Sequence, residues 1–176
     1  MIHAAKAGSS QAFSALVGGY LPRLYAVAYS FLRNVEDASD ICQETLIRVH
    51  RSFSRFDENR AFFPWVYRIL KNLCLNQVQK KTRRPYETET MDRLVSHYKA
   101  PEEILLEKEE SERLHDALSR LPEKHREILV LKEWGGASYK ELADALGIPE
   151  GTVMSRLYNA RKSLKKVMLE RRRESE

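Results

Sequence analysis

Apolar residues return every three or four positions through most of the chain, and no segment sustains the period-two alternation of a strand bounded by turn residues. The expected fold is therefore all-α. From Ser10 to Arg33 the series runs through Phe13, Leu16, Val17, Tyr20, Leu24, Val27, Ala28 and Phe31, with Pro22 marking a break or a helix start. A second helix is expected from about Val35 to Ser52, where Asp37, Ala38, Ile41, Cys42, Thr45, Leu46 and Val49 form a stripe and Glu36 and Asp37 suit the positive end of the helix dipole. The stretch SRFDENRAFFP interrupts the pattern. A third helix resumes at about Phe63, carries Trp65, Val66, Ile69, Leu70, Leu73, Leu75 and Val78, and ends in KKTRRP.

Past Pro85 the composition changes. In the segment from Tyr86 to Glu112 acidic residues, among them Glu87, Glu89, Asp92, Glu102 and Glu103, outnumber Arg93, Lys99 and Lys108 and there is little to bury, so its first part reads as a linker and its end, from about Pro101, as the start of a further helix. The expectation is two small helical domains, 1–84 and 111–176, joined by an acidic linker at 85–110. The second domain reads as four helices. One ends near Arg120; Pro122 and Glu123 open the next, which carries Ile128, Leu129, Leu131 and Trp134 and is broken by GGAS. Ser138 with Glu141 three residues on has the spacing of a capping box, Gly147 stops the short helix Tyr139 to Leu146, and Pro149 stands at the expected first position of the last one.

Charge and cysteine content narrow the function. A formal charge of +5 favours a polyanionic partner, although an excess of Lys and Arg also serves as a solubilising surface. Cys42 and Cys74 are the only cysteines and belong to neither a CxxC pair nor a cluster with metal-ligand spacing, so two buried thiols in a reducing compartment are expected, with no metal and no cofactor. No stretch reaches the ~20 apolar residues of a membrane span and the N-terminus lacks the layout of a signal peptide, which points to a cytoplasmic protein without a membrane partner.

A short helix, a Gly-containing turn and a second helix make the helix-turn-helix arrangement. On the last helix Val153, Leu157, Ala160 and Leu164 form one stripe, expected to pack on Leu142, Ala143 and Leu146, leaving Thr152, Met154, Ser155, Tyr158, Asn159 and Lys162 outward. Arg156, Arg161, Lys165 and Lys166 flank that face and could reach phosphates whatever the base sequence. Ser155 and Asn159 offer hydrogen bonds to base edges, whereas Met154 offers only apolar contact, for example to a thymine methyl. Periodicity alone fits equally an amphipathic helix with solvated charges; the cap, the Gly turn and the Pro at this spacing favour the motif.

The first domain has a second surface of interest. RFDENRAFFPWVYRILKNLCLNQVQKKTRR joins a polar loop and aromatics to a helix that becomes increasingly basic. Trp65 and Ile69 read as core. Phe62, Phe63 and Tyr67 cannot all face one helix-helix seam, and a ring beside a row of cations suits unstacked bases. Arg68, Lys71, Lys80, Lys81, Arg83 and Arg84 are the cationic candidates, and the loop Asp57, Glu58, Asn59 and Arg60 could hold an extruded base or be an ordinary surface loop. The helix VEDASDICQETLIRVHRSF differs: its acidic and amide edge, Asp37, Asp40, Gln43 and Glu44, suits a protein partner better than phosphates, or simply water.

NVEDASDICQETLIRVHRSFSRFDENRAFFPWVYRILKNLCLNQVQKKTRR together with LSRLPEKHREILVLKEWGGASYKELADALGIPEGTVMSRLYNARKSLKK resembles the extracytoplasmic-function (ECF, group IV) sigma factors of bacterial RNA polymerase, over about nine-tenths of the chain. The resemblance implies a sigma domain 2 at 1–84 and a sigma domain 4 at 111–176. It places Asp40, Gln43, Glu44, Leu46, Ile47 and Arg48 where the family docks on the clamp helices of the largest polymerase subunit, and adds the flap as a second contact. The loop Phe56 to Phe63 and the helix Tyr67 to Lys81 fall where the family melts and reads the −10 element, which brings in Asn72 and Asn76 beside Asp57, Glu58, Asn59, Arg60, Phe62, Phe63, Tyr67, Arg68, Lys71 and Lys80. Thr152, Met154, Ser155, Arg156, Tyr158, Asn159, Arg161 and Lys162 fall where it reads the −35 major groove. An anti-sigma factor as partner and the absence of a catalytic centre are implied as well.

Two departures stand out. Many relatives have Arg at the positions of Met154 and Asn159, and Gly135-Gly136 stands where relatives often have one Gly beside a bulkier residue. A stand-alone helix-turn-helix regulator would leave the acidic edge and the basic aromatic loop unexplained. An enzyme acting on nucleic acid lacks support: His3, His50, His97, His115 and His125 are scattered, and no paired carboxylates or phosphate loop are evident.

Overall fold

In the computed structural model, which describes residues 1–83 and 113–174, the described residues form helices and turns with no strand. The linker expected at 85–110 and the helix start near Pro101 lie outside these residues.

A short helix α1, Ile2–Lys6, precedes α2, Ser10–Gly18, which is capped by Ser9 accepting from the Ala12 N–H at 3.2 Å. Pro22 then lies in the first turn of α3, Leu21–Leu32, where its missing N–H is harmless. The series expected from Ser10 is thus two helices, and α1 escaped the periodicity because five residues make too short a window.

Helix α4, Val35–Ser52, has the expected bounds, set by the Asn34 carbonyl oxygen of the side chain accepting from the Asp37 N–H at 2.8 Å. It buries Ala38, Cys42, Thr45 and Val49; the Thr45 hydroxyl donates back to the Ile41 carbonyl at 2.7 Å, so a polar group enters the core without an open valence. A 3-10 turn at Phe53–Arg55 leads through a polar loop into α5, Phe62–Arg83. Helices α3, α4 and α5 pack against one another as the body of the first domain. Cys42 and Cys74 are both buried free thiols between them, pushed by burial up to about 11 and about 12.

In the second domain α6 (113–119) is followed by α7, Glu123–Leu129, which passes directly into a π-helical turn, Val130–Trp134. Sequence periodicity gave no sign of that turn, in which the Gly135 N–H reaches back five residues to the Val130 carbonyl at 3.0 Å. Helix α8, Tyr139–Leu146, carries the full capping box: Ser138 accepts from the Glu141 N–H at 3.2 Å and the Glu141 carboxylate accepts from the Ser138 N–H at 2.9 Å. Gly147 ends α8 at φ 63°, a left-handed conformation that a side chain would disfavour. The last helix, α9, is Glu150–Glu174, so Pro149 stands just before the helix rather than as its first residue, and its carbonyl accepts from the Thr152 N–H at 2.9 Å.

The two domains are docked. Helix α5 packs on α8, and α3 packs on the π turn, so one apolar cluster runs from Val27 and Tyr67 into Ile128 and Leu142.

Candidate nucleic-acid interface

On α9, Val153, Leu157 and Ala160 are buried at 0–2% exposure, and Leu142 and Ala143 of α8 are buried with them in the same apolar cluster. The opposite side carries the expected outward residues: Met154 and Tyr158 are 65% and 67% exposed, and Ser155, Asn159, Arg161 and Lys162 are exposed beside them. Thr152 and Arg156 are half-buried at the edge nearer the core. Arg161 is held by Glu133 at 2.8 Å, a hydrogen bond that also raises its already high pKa. His125, beside Ser163 at 3.1 Å, is held below the usual imidazole range by desolvation and then by the nearby Lys124 and Arg156. The face is therefore cationic around an apolar and amide centre.

In the first domain the loop after the 3-10 turn is built by its own side chains. Asp57 accepts from both the backbone and the side-chain N–H of Asn59 at 3.0 Å and lies 3.5 Å from Arg60, which together hold its carboxyl below the ordinary range, the Asn59 backbone N–H most of all. Lys6 of α1 ties the loop down: its ammonium donates to the Phe56 carbonyl at 2.9 Å and pairs with Glu58 at 3.3 Å. Behind the loop, Arg68, Asn72, Asn76 and Lys80 follow at four-residue steps along α5 and are all exposed. That spacing puts them in one polar row on one helix face.

The three aromatics proposed for stacking are not available in this arrangement. Phe62, Phe63 and Tyr67 are 4%, 0% and 1% exposed. They serve three different seams, which resolves why they could not share one. Phe62 sits among Phe53, Phe56 and Trp65, with centroids 5.5–6.0 Å away. Phe63 lies under the Arg23 guanidinium at 3.8 Å. Tyr67 faces the second domain, where its hydroxyl donates to Glu127 at 2.5 Å, and burial followed by the Glu127 charge pushes its ionisation far up.

That last contact belongs to a set that sequence reasoning missed. Lys71 bonds Glu127 at 2.6 Å and lies 3.8 Å from Glu123; Arg68 donates to the Asp144 carbonyl at 2.6 Å; Arg23 donates to the Gly135 carbonyl and pairs with Glu141 at 3.4 Å. Three residues expected to meet the −10 strand, Tyr67, Arg68 and Lys71, thus meet oxygens of the second domain. One sequence signal existed in the Gly135-Gly136 pair: a Cβ on Gly135 would come within 2.6 Å of the Leu131 carbonyl oxygen, and Gly136 has φ 55°. The partner of such a turn cannot be read from spacing.

On α4, Asp40, Gln43, Ile47 and Arg48 are exposed, with Ile47 at 45%, and Glu44 and Leu46 are half-buried; Glu44 pairs with Arg48 at 2.7 Å. Asp37 departs from this edge. It turns toward α5, accepting from Gln77 at 3.0 Å and from Lys81.

The sigma-70 region 2 profile matches residues 16–84 and the sigma-70 region 4 profile matches residues 111–164. The ECF RNA polymerase sigma factor SigW of Bacillus subtilis is 35% identical over 170 residues, covering 92% of this chain and 91% of that protein. The chain belongs to the ECF sigma factors. Two solved structures share the fold at 24% identity: CnrH, in complex with the cytosolic domain of CnrY, with a TM-score of 0.73 over 95% of this chain and 94% of that one; and the sigma factor RpoE of Bartonella quintana, in complex with the anti-sigma factor NepR, with a TM-score of 0.68 over 90% and 97%. This sigma factor is accordingly an all-α, DNA-binding protein of transcription initiation. Among its described residues no helix is long and apolar enough to cross a membrane.

Proposed function

We propose that this sigma factor joins the two ends of a promoter to the polymerase core through three separate surfaces. The cationic outward face of α9, from Thr152 to Lys162, enters the −35 major groove. The loop Asp57 to Arg60 and the row Asn72, Asn76 and Lys80 engage the −10 element, joined by Tyr67, Arg68 and Lys71 once the second domain moves away. The α4 edge, Asp40, Gln43, Glu44, Leu46, Ile47 and Arg48, docks on the clamp helices of the largest subunit, and the second domain on the flap.

The observation that carries this reading is the contrast between surfaces of one small chain. An apolar-centred cationic face on α9 complements duplex DNA, a polar row on α5 complements a single strand, and an exposed Ile47 ringed by Asp40 and Gln43 complements protein. Domain 2 spans 1–84 and domain 4 spans 111–176, with 85–110 as the connection. The chain contributes binding and strand separation, while bond formation stays with the polymerase. It acts in the cytoplasm, without cofactor, and an anti-sigma factor restrains it, as fits a fold shared with a sigma factor solved in complex with an anti-sigma factor.

The deciding experiment is reconstitution with core polymerase on genomic templates. Run-off product from a restricted set of start sites is the expected result. Equal product with and without the protein on every template overturns the reading.

A further inference from the structure

The outward face of α9 has an unusual centre for a DNA reader. Met154 and Tyr158, one helical turn apart, hold two large apolar side chains about two-thirds exposed among the described residues. Exposed apolar pairs of this kind call for an occupant. The ring of cations around them, Arg156, Lys162, Lys165 and Lys166, selects a polyanion, and the helix-turn-helix presents the face to a major groove.

Guanine is read in that groove chiefly by an Arg or Lys reaching O6 and N7. Among the described residues of the first three turns of α9 no cation is placed for this: Arg156 is half-buried at the edge nearer the core, and Arg161 is bound to Glu133 at 2.8 Å. Lys162 comes only after that, beyond the N-terminal residues that meet base edges in such motifs. What those turns do present is a thioether, a phenol ring, the Ser155 hydroxyl and the Asn159 amide. A thioether and a ring complement the C5-methyl of thymine, and an amide pairs with N6 and N7 of adenine.

We propose that Met154, supported by Tyr158 and Asn159, gives this protein a −35 element built on A·T pairs, in which thymine is recognised by its methyl group. The proposal rests on the reading that α9 occupies the −35 major groove. Met154 is the specificity-determining residue, because it is the large exposed apolar side chain nearest the N-terminus of α9, where such helices meet base edges.

The test uses holoenzyme reconstituted from the full-length protein and core polymerase, on a template library randomised across the upstream element, with run-off products sequenced. The expected result is enrichment of A·T pairs at two or more adjacent positions. Replacing one such thymine by deoxyuridine, which removes only the methyl, should lower holoenzyme binding about four-fold, the worth of one buried carbon. Met154→Ala should lose affinity for the thymine template and bind the deoxyuridine template as the unaltered protein does; Met154→Leu should keep the difference. Both substitutions are at an exposed site, so folding is not at stake. Fixed G·C pairs at the enriched positions, or a deoxyuridine template bound as well as thymine, overturn the proposal. Run-off that proceeds with no preference at all in the upstream element overturns instead the assignment of α9 to the −35 groove, and the proposal with it.

Discussion

The Tyr67 hydroxyl and the Glu127 carboxylate meet at 2.5 Å although sixty residues separate them, and Lys71 bonds the same carboxylate oxygen at 2.6 Å. One acidic side chain of the second domain thereby satisfies two groups of the first. Because Glu127 is only 13% exposed, water competes weakly for either donor.

Glu127→Ala should therefore loosen the docking of the two domains without unfolding either. Hydrogen bonds to a charged group contribute about 1.5–3 kcal/mol each, so a shift of about 2 kcal/mol or more in the docking equilibrium is expected. Energy transfer between one dye on each domain measures it; an unchanged distance distribution would show that the apolar seam alone holds the domains together.

A second prediction concerns the ion pair between Glu133 and Arg161 at 2.8 Å, both about half exposed. Glu133→Gln should release Arg161 and steepen the salt dependence of duplex binding by about one unit of slope, while Lys162→Ala should flatten it by about one. Titrations at several salt concentrations distinguish the two. Parallel lines for all variants would remove both cations from the phosphate interface.

Asp40→Ala together with Ile47→Ala should weaken binding to core polymerase by roughly tenfold or more, since a central apolar residue commonly carries 1–2 kcal/mol or above in an interface. Binding of the free protein to duplex DNA should stay as it was. The reverse pattern would place the polymerase contact elsewhere.

Gly135→Ala tests the π turn. The added Cβ meets the Leu131 carbonyl oxygen at 2.6 Å, and backbone on both sides has nowhere to retreat, so a loss of about 1–3 kcal/mol is expected in denaturant unfolding. The same change displaces the carbonyl that accepts from Arg23, so docking should weaken along with stability.

Local chemistry made much of the fold legible. Asn34 before Val35, Ser138 with Glu141, and Gly147 each satisfy a helix end through groups within five residues, and the helices they bound were expected with the right limits. The face of α9 was legible for the same reason: burial of Val153, Leu157 and Ala160 follows from their spacing. What escaped depended on partners far along the chain. Phe62, Phe63 and Tyr67 looked like spare aromatics because the seams that absorb them are made by Phe53, by Arg23 and by Glu127. Asp37 looked like part of the acidic edge because Gln77 and Lys81 lie forty and more residues away. The π turn leaves no periodic trace, since it shifts the phase of five residues only.

On the proposed reading, in which Tyr67, Arg68 and Lys71 engage the −10 strand, their docking onto Glu127 and Asp144 makes polymerase and promoter cooperative ligands of one protein. The same donors cannot serve Glu127 and Asp144 and a DNA strand at once, so the affinity of the free protein for a −10 strand would be scaled by the fraction of molecules that are open. Each ~1.4 kcal/mol by which docking is favoured lowers that affinity tenfold. A core enzyme that holds the domains apart restores the lost factor, and by linkage the promoter tightens the hold of the core by the same amount. Selectivity for DNA only in the presence of polymerase then needs no additional inhibitor; it is a thermodynamic property of where one glutamate sits.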